Sequence, residues 1–134
     1  MSNTSDPTHP PLDTTLGHEI VEASPEHVRG RCAVTDRVRQ PFGLVHGGLF
    51  ATMAETLASL GTYLGVADEE KIAVGQSNHT QFLRPVSDGT VYADAHPRHR
   101  GRTSWIWDVE ITDDAGALCA LSRVTIAVRP ARRD

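Results

Sequence analysis

Glu55 is the residue in this chain best placed to do chemistry. It lies in a helix-forming stretch and has no cation within one turn, because the positions three and four residues away are Ala51, Thr52, Ala58 and Ser59. An unpaired carboxylate in apolar surroundings is costly, and desolvation favours its neutral form and makes it a stronger base. Two turns upstream, Gly47 and Gly48 read as the start of the same helix. Backbone N–H groups there lack intrahelical acceptors, and the helix dipole adds about half a positive charge. Such an end suits an anion or a developing oxyanion. A reacting carbonyl is expected between the Gly47 N–H and Glu55. Gln40 and His46 supply polar groups near that end, and Ser59 lies beside Glu55. A surface glutamate and a Gly-Gly turn would account for the same residues, so the chemistry alone leaves both readings open.

Other chemistries find less support. The seven histidines offer no close pair on one helix face. His96-Pro-Arg-His99 lacks a carboxylate or thiol companion at ligand spacing, so no metal site is expected. Ser59 has no nucleophile-elbow context. Arg98, Arg100 and Arg102 cluster in one stretch, and Arg129, Arg132 and Arg133 close the chain. They read either as solvated surface or as the footprint of a small polyanion. A net charge of −4 argues against a nucleic-acid binder.

Those residues need elements to hold them. Gly47 to Leu64 reads as the one convincing helix. Phe50, Met53, Leu57, Leu60 and Leu64 form an apolar stripe, and Gly48, Ala51, Glu55, Ala58, Ser59 and Thr62 form a small-residue face. A small face admits close approach by another backbone or a ligand. Two short strands separated by Ser24-Pro25-Glu26 precede the helix. Strands follow over Ile72 to Leu83, through Val91, Ala93 and Ala95, over Trp105 to Ile111, and over Leu118 to Val128, with a hairpin turn at Asp113-Asp-Ala-Gly116. This order implies an α+β fold, an antiparallel sheet covering one helix. The open small face would be closed by dimerisation.

The length of 134 residues suits one domain over 18–134, preceded by a flexible Pro-rich tail over 1–17. Hydrophobic content of 39% and charged content of 22% are those of an ordinary globular protein. Two cysteines, Cys32 and Cys119, are too few for a disulfide framework and suggest buried thiols in a reducing compartment. No signal peptide is read at the start, and Gly47 to Ala67 makes a poor membrane span. A cytoplasmic location and no membrane partner are the expectations.

Gln40-Pro-Phe-Gly-Leu-Val-His-Gly-Gly, followed by Glu55, resembles the signature of hotdog-fold thioesterases of the phenylacetate-pathway type. Val74-Gly-Gln-Ser-Asn-His-Thr80, Phe82, Arg84-Pro-Val86, Trp105-Ile-Trp-Asp-Val109, Asp113-Asp-Ala-Gly116 and Ile126-Ala-Val-Arg-Pro130 extend the match. Together they resemble the actinobacterial type of 4-hydroxybenzoyl-CoA thioesterase. The likeness runs from about Val28 to the C-terminus, and several motifs keep their order and spacing.

The resemblance implies an antiparallel sheet wrapped around one long central helix and hydrolysis of an acyl-CoA thioester. No cofactor is implied beyond the CoA of the substrate. Glu55 matches the catalytic carboxylate, as nucleophile or general base, and Gly47 the N–H that polarises the carbonyl. Gln40 matches a glutamine assisting hydrolysis or acid release, His46 a histidine ordering the loop, and Ser59 a threonine that positions water. Arg84, Thr103 and Arg132 match positions contacting CoA, and Arg102 stands where the family has a small hydroxyl residue. At Leu60 the family carries an acid that recognises a ring hydroxyl across the dimer interface, and leucine lacks that acceptor. Aromatic acyl-CoA (benzoyl, hydroxybenzoyl or phenylacetyl) is therefore the expected substrate class. Medium-chain or dihydroxynaphthoyl thioesters, and a non-catalytic acyl-CoA-binding module, are the alternatives. The implied assembly is a homodimer or dimer of dimers with the sites at the interface.

Overall fold

The computed structural model describes residues 6–131. In chain order the elements are α1 (Pro11–Leu16), β1 (His18–Ala23), β2 (Val28–Ala33), α2 (Gly47–Val66), β3 (Lys71–Phe82), β4 (Thr90–Arg100), β5 (Ser104–Thr112) and β6 (Leu118–Pro130). The six strands form one antiparallel sheet in the order β1-β2-β4-β5-β6-β3. It curls around α2, which is the hotdog fold.

Alternation drives this arrangement. In β5, Trp105, Trp107, Val109 and Ile111 are buried, and the residues between them are not. Val28, Gly30 and Cys32 do the same in β2. These inner faces meet Phe50, Met53, Leu57 and Leu60 of α2. Trp107 lies so close that a Cβ at Gly61 would stand 2.3 Å from its ring. The indole Nε1 donates to Thr62 Oγ1 at 2.8 Å, which satisfies a buried donor.

Three sequence expectations change. Leu64, placed in the core stripe, is 38% exposed. Ala58 and Thr62, placed on the small face, are fully buried, because the sheet reaches round to meet them. The tail expected over 1–17 contains α1, and its Asp13 is buried. The Asp13 carboxylate takes His18 Nδ1 at 2.6 Å on one oxygen and the Thr56 hydroxyl at 2.9 Å on the other, pinning α1 to α2. Both cysteines are free and buried. No helix among the described residues is long and apolar enough to cross a membrane.

Candidate active site

α2 and β3 run antiparallel and touch at successive points. At the start of α2, the Phe82 ring covers Gly47, where an added Cβ would meet it at 2.6 Å. One turn on, Asn78 Nδ2 donates to the Ala51 carbonyl at 2.9 Å. Asn78 is itself held by the Thr80 hydroxyl at 2.7 Å, and Thr80 meets Ser122 Oγ at 2.7 Å. A further turn on, the Glu55 carboxylate packs on Gly75, where an added Cβ would stand 2.8 Å from Oε2. The β3–β6 register slips between Gly75 and Ser77. Such bulges re-aim backbone beside functional sites.

His46 caps α2: its Nδ1 accepts from the Gly48 N–H at 2.8 Å. The Gly47 N–H finds no acceptor among the described residues and remains free for a ligand. Gln40 Oε1 accepts from the Phe42 N–H at 2.8 Å, and the Gln40 N–H donates to the Leu44 carbonyl at 2.7 Å, so this residue shapes the loop before the helix.

The expected site residues fall into two groups. Glu55, Ser59 and Leu60 line a cleft of about 460 Å³ with Tyr63, Asn78 and, from the N-terminal segment, Leu12. Gln40, Gly47 and Arg84 line a separate cleft of about 310 Å³ with Phe50 and Phe82. The two groups do not converge within one chain. Gly47 and Glu55 are eight residues apart, about 12 Å along the axis at 1.5 Å per residue. One carbonyl does not bridge that distance within a single chain.

The arginines divide in the same way. Arg84 is exposed, with Asp113 at 3.9 Å, and its N–H donates to the Cys119 carbonyl near the start of β6. Arg102 and Thr103 are exposed between β4 and β5, where the Thr103 carbonyl accepts from the Val128 N–H near the end of β6. Nine residues of strand, about 30 Å, separate those ends. Arg132 lies outside the described residues.

Glu55 is exposed in the isolated chain and makes no ion pair among the described residues. The desolvation expected for it is thus not provided by its own chain. Sequence reasoning missed Asn78, Gly75 and Phe82 as site-forming residues, although all three lie in the motifs quoted from the chain. It also missed the N-terminal wall, whose only sequence signal was its prolines.

A long helix with an exposed carboxylate beside an apolar cleft, wrapped by a curled antiparallel sheet, is a hotdog fold with a candidate site on its helix. Residues 42–120 match the Thioesterase superfamily. A 1,4-dihydroxy-2-naphthoyl-CoA hydrolase of Listeria monocytogenes is 35% identical over 122 residues, 91% of this chain and 98% of that protein. The proofreading thioesterase EntH of Cronobacter turicensis is 39% identical over 115 residues, 86% of this chain and 78% of that protein. The solved structure of a Haemophilus influenzae thioesterase superposes with a TM-score of 0.85 at 34% identity, covering 91% of this chain and 85% of that one. The chain belongs to the Thioesterase superfamily. It is a thioesterase, an enzyme that hydrolyses thioesters.

Proposed function

We propose that the protein hydrolyses aromatic acyl-CoA thioesters at sites shared between two copies of the chain, with no cofactor beyond the CoA of the substrate. The observation that carries this reading is the Glu55 carboxylate, free of any ion pair among the described residues and set in an apolar cleft with Leu60 and Tyr63. Glu55 attacks the thioester carbon, expelling the CoA thiolate and leaving a mixed anhydride for water to open, or it takes a proton from the attacking water. Either route consumes one water and yields acid and thiol. The Gly47 N–H, at the positive end of α2, receives the developing oxyanion. Ser59 orients water, and Gln40 and the His46 cap hold the donor end. Arg84, Arg102, Thr103 and Arg132 bind the CoA phosphates, since guanidinium groups suit them by charge and fork geometry.

Sharing follows from distance and from the sheet edge. The twelve-residue β3 is an edge strand carrying exposed Ile72, Val74 and Phe82. Long apolar edges of that kind are normally covered. Antiparallel pairing with a second copy brings opposite ends of β3 together, so one chain's Gly47 end approaches its partner's Glu55. That cover also removes water from Glu55. A dimer is thus the smallest active unit, a dimer of dimers its natural extension, and the cytoplasm the compartment that suits two free buried thiols.

Leu60 in place of an acid disfavours strict 4-hydroxybenzoyl specificity. A second reading, a dihydroxynaphthoyl thioester as substrate, is favoured by the same cleft and by the Listeria relative. Release of free thiol from benzoyl-, 4-hydroxybenzoyl-, phenylacetyl-, 1,4-dihydroxy-2-naphthoyl- and hexanoyl-CoA separates these readings. Fastest turnover of an aryl or arylacetyl thioester is expected, and hexanoyl-CoA turning over fastest would refute the aromatic reading.

Sharing is tested by mixing two inactive variants, Glu55→Ala and Gly47→Pro. Proline at this first helical position removes the N–H, its added Cβ displaces the Phe82 ring, and the extended backbone of His46 accepts a following proline. Random pairing of the two should restore about a quarter of wild-type activity if sites are shared, and none if each site lies within one chain.

A further inference from the structure

The outer face of the sheet, away from α2, carries a cluster that the thioesterase reading does not use. The β2–β4 register pairs Val28 with Ala95, which sets His27 opposite His96. Asp94, two residues before His96, points to the same face. The two imidazoles stack with centroids 4.4 Å apart and planes 12° from parallel. His96 Nε2 lies 3.0 Å from Asp94 Oδ1, and His27 Nε2 contacts the same oxygen. The other nitrogen of His27, Nδ1, faces Glu22 Oε2 at 3.2 Å, and Arg29 Nη1 holds the second oxygen of Glu22 at 3.3 Å. No metal site was expected from the sequence, because His27 lies 67 residues from Asp94 and only the sheet register joins them.

His27 therefore has a carboxylate oxygen opposite each ring nitrogen. A neutral imidazole carries one N–H, so a metal ion can sit at the other ring nitrogen. One ring nitrogen each of His27 and His96 and a carboxylate oxygen of Asp94 all lie within 4.8 Å of one another. A tetrahedral ion bound at about 2.0–2.1 Å needs donors about 3.4 Å apart, so the stacked rings turn toward a common point to ligate it. The Glu22 carboxylate, 3.2 Å from His27 Nδ1, is placed to become an outer-shell partner of the kind common around zinc.

We propose that His27, His96 and Asp94 form a surface site for a divalent transition cation of the Zn²⁺ or Ni²⁺ class, oriented by Glu22. Two imidazoles with one carboxylate select these ions over Mg²⁺. Side-chain exposures of 29%, 48% and 60% for His27, Asp94 and His96 leave a fourth position open to water or to a donor from another molecule. The bound ion would clip the turn ahead of β2 to β4.

The test is equilibrium dialysis of tag-free protein against ZnCl₂, with bound metal measured by atomic spectrometry and circular dichroism confirming that each variant folds. One Zn²⁺ per chain is expected, with Mg²⁺ failing to compete. His96→Gln and Asp94→Asn should each lower affinity at least about tenfold, Glu22→Gln about tenfold or more, and His9→Gln should change nothing. Zn²⁺ should raise the melting temperature of wild type and not of His96→Gln or Asp94→Asn, and thioester hydrolysis should persist in both. Absence of bound Zn²⁺ in wild type, or equal binding by His96→Gln and Asp94→Asn, overturns the proposal and leaves a polar surface cluster without a metal.

Discussion

Glu55 and Gly75 form one unit, because the carboxylate occupies the space a side chain at position 75 would fill. Gly75→Ala should push Oε2 aside by an ångström or so and lower kcat on the order of 10²-fold, the cost of misplacing a reacting group, while the thermal midpoint changes little. Steady-state kinetics beside a melting curve checks this. At Cys32, burial, reinforced by Glu19 and Asp13, pushes the thiol up to about 11 from the ordinary 9.0. A raised thiol value means that the unfolded chain loses its proton first. The associated stability is complete below pH 9 and is lost as pH rises through 11. Urea denaturation should show stability falling across that window in wild type, and less steeply in Cys32→Ala.

At the scale of elements, α1 matters more than its six residues suggest. It walls the Glu55 cleft through Leu12, and the buried Asp13 holds it to both His18 and Thr56. His18 Nε2 already lacks a partner among the described residues. Asp13→Ala would strip the buried imidazole of its remaining one. Leaving a buried hydrogen-bonding group without its partner costs about 1–3 kcal/mol. A lower urea midpoint should accompany a raised KM for the acyl-CoA, since the cleft loses a wall. An unchanged KM would separate α1 from substrate binding. The α2–β3 contact is better tethered: Asn78 bonds a mid-helix carbonyl, and a chain of hydroxyls links it to β6.

The whole molecule is governed by the β3 edge. Val74 is 48% exposed and Phe82 60%, on a strand with one side unpaired in the chain. Val74→Lys places a charge on that edge, a device that blocks strand pairing. Sedimentation should show a shift toward monomer, with hydrolysis lost in parallel, although Val74 lines neither cleft. An active monomer would refute the shared site.

Local periodicity made much of this protein legible in its sequence. Strand alternation in Val28–Cys32 and Trp105–Ile111, the helix from Gly47, the turns, and the free Glu55 all follow from side-chain patterns within a few residues, and the motifs carried the fold class. Tertiary structure decided what a pattern on one element leaves open. The curl of the sheet buried Ala58 and Thr62 and left Leu64 partly exposed, because burial depends on how far the neighbouring layer reaches. It drew α1 onto the cleft through a carboxylate whose partners lie on other elements. It divided Glu55 and Gly47 between two clefts, a partition a sequence motif does not express. It also joined His27 to Asp94 and His96 through strand register, which is set by the packed sheet and not by spacing along the chain.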